Sequence, residues 1–540
     1  MNTLGLRRGR MVFAVSLWLL GAYSVLGAVP ARAHAAQVTP SPSPAFLQKF
    51  KENPRWAMDL LPEKSGAVVS TQRLREKVRA CRRGEMRQLI MSHSSMARSF
   101  HIRSHSFAKE NRSSMRGHFL GLNVAASPRF EASKFLESEE VVDRIEDGEI
   151  LRQAQTEIRP WSGYYWPFSS GVAAKRYMDT DSPSVGDDVD WKVAYEYYVK
   201  NSPRRIAKKL MAPSEKYDFF AGDEKFTLTE ANWRAGRAYY DVDGKVESWM
   251  GICHGWAAAS YMEPRPSHTV RVKSLTSGQG VEFLPDDVKA LVSLRWAYGA
   301  VVDKDTGAPA TRFAGGRCDE KNPKKDVETG RIIDPECFDL NPAVWHLIIT
   351  NRVGREHRPF IMDATYDYEV WNHPVTSYTF RYFNPKTLED GDDLAAARVR
   401  LDDPSFEDKF KKYRGNKAAV EIVGIIMRVK YVIESYPEGI AEDTEENDLI
   451  RTTTYHYDLE LDDQGRIVGG EWYQNRHPDF VWTPTQNAVA SSRWDLTVRS
   501  SADAIKEAEA SSQALVPLRY LVERLLGGYE SFAREAFFSR

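Results

Sequence analysis

The sequence predicts an α+β fold in which an antiparallel sheet is joined to an Ala-rich helix that starts at a cysteine. Three observations carry this prediction. Residues 254–262 (His-Gly-Trp-Ala-Ala-Ala-Ser-Tyr-Met) are rich in helix formers and end just before Pro264, so Cys253 sits where a helix begins. Runs dense in β-branched and aromatic residues, at 344–350, 360–365, 416–434 and 452–472, read as strands. Upstream of them a Pro-Asp-Asp start at Pro285 opens an apolar helical pattern to Tyr298, with Val288, Leu291, Val292 and Trp296 on one face.

Taken from the N-terminus, residues 1–36 read as a secretory signal: Arg7, Arg8 and Arg10, an apolar run from Met11 to about Val29, then small residues suited to cleavage. The rival reading is a transmembrane anchor, but the Ala-rich exit favours removal and points to a secreted or periplasmic protein with no stable membrane anchor. A Pro/Ser linker follows at 37–44, and residues 45–158 read as mostly helical and polar. Within that block 73–116 is rich in Lys and Arg, which reads first as a solvated face or flexible segment, with a pro-segment that covers the active-site cleft until proteolysis as the sharper alternative. His101 and His105 are four apart but lack the further ligands a metal needs. The aromatic stretch 160–167 reads as a rigid packed loop, 190–198 as an amphipathic helix, and 213–223 carries no chemistry of its own. After the Cys253 helix and the 285–298 helix, 366–382 suggests another strand. The 452–472 hairpin turns at 462–465, and 502–538 is a helical cap interrupted at Pro517. The domain boundaries expected are therefore 1–36 signal, 37–158 N-terminal region, 159–440 core, 441–500 hairpin region and 501–540 terminal helix.

A thiol at a helix start feels the positive end of the helix dipole, which favours the thiolate, so Cys253 is a candidate nucleophile. If 344–350 and 360–365 fold back about Gly354 and Arg355, Asp363 falls opposite His346, and directly opposed residues have Cβ atoms about 4.5–5.5 Å apart. A carboxylate could then orient an imidazole base toward the thiol. His254, His357 and His373 are the rival bases. His254 should point away from its neighbour on the helix, His357 falls in the turn, and His373 precedes Pro374 without an obvious acid partner.

The phrases Pro160-Trp-Ser-Gly-Tyr-Tyr-Trp-Pro167, Trp249-Met-Gly-Ile-Cys-His-Gly-Trp256, Asp334-Pro-Glu-Cys337, Asn341-Pro-Ala-Val-Trp-His346, Met362-Asp-Ala-Thr-Tyr-Asp-Tyr-Glu-Val-Trp-Asn372 and Ile467-Val-Gly-Gly-Glu-Trp472 resemble the secreted transglutaminase elicitor family. That resemblance implies a papain/transglutaminase-like core with Cys253, His346 and Asp363 in the triad positions, and Trp249 and Trp256 beside the substrate. It implies acyl transfer from a glutamine side chain of a protein or peptide to a primary amine such as lysine. The same triad also suits a cysteine peptidase or deamidase, and the fold alone suits a non-catalytic recognition protein.

The four cysteines are Cys81, Cys253, Cys318 and Cys337, and the last two enclose a polar loop that a disulfide would order in an oxidising compartment. Calcium, which several transglutaminases use, is the one cofactor considered. The turns at 241–245 and 462–465 place carboxylates together but do not supply the roughly six to eight oxygens calcium takes, so both read as hairpin turns. No metal ligand is assigned. At 540 residues with 42% hydrophobic content the chain can bury a sizeable core, and 74 Lys and Arg against 75 Asp and Glu leave no net charge to favour nucleic acid.

Overall fold

The structure, a computed structural model, describes residues 43–59 and 127–490, apart from 186–188, 275, 300, 319, 321, 335–336, 338–339 and 365–368, together with Leu525. The expected signal, the basic run with Cys81, His101 and His105, and all of the C-terminal helix except Leu525 lie outside the described residues.

In chain order the helices are α1 (Ser43–Glu52), α2 (Pro54–Met58), α3 (Pro128–Phe135), α4 (Trp191–Lys200), α5 (Pro213–Ala221), α6 (Thr227–Asp243), α7 (Cys253–Met262), α8 (Pro285–Tyr298), α9 (Pro342–Arg352) and α10 (Leu394–Ala397). The strands are β1 (Gln153–Gln155), β2 (Val270–Lys273), β3 (Gly280–Phe283), β4 (Val301–Asp303), β5 (Thr311–Gly315), β6 (Phe360–Asp363), β7 (Asn372–Phe383), β8 (Asp390–Gly391), β9 (Arg398–Arg400), β10 (Glu421–Ile433), β11 (Leu449–Leu461), β12 (Ile467–Gly469), β13 (Phe480–Pro484) and β14 (Ala488–Ala490). Among the described residues no helix is long and apolar enough to cross a membrane.

The fold is α+β, built on an antiparallel sheet with the order β12-β11-β10-β7-β6-β13-β5. Strand parity sorts its faces. Val423, Ile425, Met427 and Val429 of β10, with Tyr455, Tyr457 and Leu459 of β11, point into a core closed by α3 and α9. Ile426 of β10 and Phe383 of β7 point the other way, where Leu47 and Phe50 of α1 and Ala57 and Met58 of α2 cover them. A third core gathers the 161–168 aromatics, α4 to α8 and Leu525. Complete burial of a large apolar side chain contributes about 1.5–3 kcal/mol, so α1 and α2 are integral to the sheet.

Three expectations change here. Residues 342–352, read as a strand at 344–350, form helix α9. Every residue of α9 is buried, so it has no polar face, and its β-branched run fits helix and strand equally well. Asn341, whose side chain accepts from Ala343 N, and Pro342 at the first helical position are the start signals that decide it. The expected hairpin between 344–350 and 360–365 is therefore absent, and β6 pairs with β7 and β13 instead. Residues 241–243 end α6, with Gly244 in the left-handed conformation (φ 68°) as its C-cap, where a hairpin turn was expected. Finally, the described parts of 37–158 are packed into the core rather than set apart from it: α3 lies in the α9 core and β1 pairs with β7.

Candidate active site

The segment before Cys253 is tied to the aromatic loop. Ile252 N donates to Tyr165 O at 2.7 Å, Phe168 N donates to Met250 O at 2.8 Å, and Gly251 bridges Pro167. A Cβ on Gly251 would lie 2.5 Å from the Tyr165 carbonyl oxygen, so only glycine lets the two chains approach this closely. Helix α7 then starts at Cys253 and packs against α8, where a Cβ on Gly255 would run into the Ser293 carbonyl. The 160–167 loop is thus a wall of this corner by packing, with Tyr165 against Trp371 at 5.4 Å between ring centres.

Cys253 is 5% exposed. Asn372 Nδ2 donates to it at 3.4 Å, the Asn372 backbone N–H bears on it as well, and the thiol itself donates to Val370 O at 3.6 Å. Burial pushes the thiol up to about 11. The two Asn372 N–H groups act against that shift, while the Glu434 and Asp363 carboxylates add to it. The helix-dipole argument for a depressed thiol therefore loses to desolvation.

Asp363 ends β6, is fully buried and lies opposite Asn372 in register, where it accepts from Trp371 N at 2.9 Å. The structure brings Asp363 to the neighbourhood of the thiol but does not bring His346 there. His346, on α9, hydrogen-bonds Tyr457 Oη through Nδ1 at 2.9 Å and packs on Phe380 at 5.0 Å. Phe380 is eight residues along β7 from Asn372, roughly 26 Å of ideal strand at about 3.3 Å per residue, so His346 packs at a stretch of β7 well away from the thiol corner. Burial holds His346 down to about 3, a neutral ring serving the core.

The β7 imidazole that meets helix α7, at Trp256, is His373. It lies on β7 rather than outside a strand, and it does have an acid partner, since Nε2 meets Glu434 Oε2 at 3.0 Å. Its ring stands 6.3 Å from Trp256 on α7 and 5.3 Å from Tyr431 on β10. His254 instead turns to Ala297 O at 3.4 Å. Asn372 was legible only as the last residue of a quoted phrase. The His373–Glu434 pair had no local signal, because the two residues meet through the pairing of β7 with β10.

Trp256 is fully buried and donates to Trp161 O at 3.1 Å, and Trp249 is nearly buried and donates to Glu247 at 2.8 Å. Both serve the core of the corner. Cys318 and Cys337 form the expected disulfide. Among the described residues no group of three or more His, Cys, Asp or Glu is arranged to hold a metal. The Asp462 carboxylate is engaged by Gln464 N and Arg466, so that turn does not fit calcium.

The transglutaminase elicitor family matches residues 138–501. No curated protein matches the chain. Among solved structures, the crystal structure of the GP42 transglutaminase from Phytophthora sojae is similar at 23% identity and a TM-score of 0.44, covering 65% of this chain and 88% of that one. With the family match spanning well over half of its length, the chain belongs to the transglutaminase elicitor family.

Proposed function

We propose that the protein is a secreted thiol acyltransferase that transfers a glutamine acyl group of a protein or peptide to a primary amine. The observation that carries this reading is the Cys253 sulfur at the start of α7, met by Asn372 N–H groups beside the Glu434 and Asp363 carboxylates. The sulfur attacks the carboxamide carbon, the new S–C bond forms, the C–N bond breaks, and ammonia leaves with the thiol proton. A primary amine then attacks the thioester, the C–N bond to the acceptor forms, the S–C bond breaks, and a proton of the amine passes to the departing sulfur, restoring the thiol. His373, oriented by Glu434, handles the proton in both halves. It replaces His346 in that role because it is the corner's imidazole with a carboxylate partner. Backbone N–H groups at the start of α7 and the positive end of its dipole hold the oxyanion. Asp363 positions the Val370–Asn372 turn through Trp371 N.

The test is incorporation of a labelled primary amine into a glutamine peptide. The full chain should incorporate label and a Cys253→Ser variant should not. Peptide product that carries no label would instead assign hydrolysis, with water as the acceptor. Absence of any product from a folded chain would overturn the enzymatic reading.

A further inference from the structure

The Asn372 carboxamide has both ends engaged, one of them by a group of fixed polarity. Its Oδ1 accepts from Trp482 Nε1 at 2.7 Å, and its Nδ2 faces the Cys253 sulfur at 3.4 Å. An indole nitrogen can only donate. The amide oxygen must therefore face Trp482, and the NH₂ group is turned to the sulfur with no freedom to flip. The two residues come from different strands, β7 and β13, separated by β6, and both flank the start of α7. Asn372 is 3% exposed, so water does not compete for its N–H groups.

We infer that Asn372 is the side-chain donor that stabilises negative charge at Cys253, first on the thiolate and then on the oxyanion of the acyl intermediate, and that Trp482 is the positioning residue that fixes its polarity. The second half of this role rests on the acyl-transfer reading; the first half does not. The titratable groups facing the sulfur are Glu434 and Asp363, whose carboxylates oppose its ionisation, with His373 on Glu434. The Asn372 N–H groups act against those carboxylates, and Trp482 keeps the side-chain one aimed.

The experiment is modification of Cys253 in the full chain by methyl methanethiosulfonate, a reagent small enough for a nearly buried thiol, followed across pH 7–10 by peptide mass spectrometry. Asn372→Ala and Trp482→Phe are compared with the wild type, with melting temperatures recorded alongside. A rise of one unit in the thiol pKa lowers the thiolate fraction about tenfold at a given pH. Both variants should therefore react on the order of tenfold more slowly, with the pH profile displaced upward. Trp482→Phe keeps the ring and removes only the N–H, so it remains informative if Asn372→Ala fails to fold. Unchanged profiles in a folded Trp482→Phe chain overturn the inference, as does a wild-type thiol that does not react anywhere in this range. A shifted profile in a chain that incorporates no amine sinks the acyl-transfer reading and leaves the thiolate role standing.

Discussion

Under the acyl-transfer proposal, the proton-handling role that chain order suggests for His346 falls to His373. His373→Ala should lower amine incorporation per folded molecule by about 10²- to 10⁴-fold, the usual worth of positioned proton transfer, and should lower the melting temperature too, because the ring is buried and its loss leaves Glu434 without its partner. His346→Gln should leave activity per folded molecule intact and alter the pH dependence of stability instead. The folded His346 pKa, about 3, lies below the ordinary value near 6.5, so the unfolded chain binds its proton first as pH falls. Its contribution is full above about 6.5 and is lost as pH drops toward 3. Denaturant melts at pH 7 and pH 4.5 should therefore differ less in His346→Gln than in the wild type. An equal difference in the two chains would contradict the burial assigned to this ring. Other groups titrate in the same window, Asp286 at about 6 and Glu460 at about 7 with the opposite sign, and the comparison between variants cancels them.

At the scale of elements, two helices show how local sequence can succeed or mislead. Helix α7 is legible because alanine is the best helix former and Pro264 stops it. Helix α9 is misleading because burial on every side erases the period of 3.6 that distinguishes a helix from a strand. Its signal lies outside the apolar run, in Asn341 and Pro342. Asn341→Ala should therefore cost about 1 kcal/mol and lower the melting temperature, because Ala343 N loses its acceptor. Gly251→Ala should be far more damaging to activity than to helix content, since the added carbon displaces the Tyr165 loop from the segment that aims Cys253. Circular dichroism beside the amine assay separates the two effects.

At the scale of the molecule, the N-terminal helices α1 and α2 and the disulfide loop support one another on the sheet. Asn475 N donates to Met58 O at 2.6 Å, its side chain reaches Asp59 at 2.9 Å, and Lys325 in the disulfide loop pairs with Asp59 at 2.6 Å. Phe50→Ala should destabilise the whole chain by about 3–5 kcal/mol, because the ring is buried against Tyr473 and Phe410. Reducing the Cys318–Cys337 bond removes a cross-link worth about 3 kcal/mol in the chain-entropy account, and melts with and without reductant should register that loss. A melting temperature indifferent to reductant would mean that the Arg331–Glu471 ion pair and its neighbours hold the loop unaided.

The amino-acid order alone determined the mixed architecture, the start of a helix at Cys253, the apolar strand run of β10 and the alternating one of β11, and the pairing of Cys318 with Cys337. Each of these depends on composition, period or spacing within a short stretch. Only the folded arrangement decided that Asn372, Trp482, His373 and Glu434 surround the thiol corner and that His346 does not. The physical reason is that these partners belong to separate strands, and which side chains meet is set by sheet register and by the faces that adjacent layers bury. The same burial reversed the expected acidity of the thiol, because removing water from the sulfur outweighs the field of one helix end.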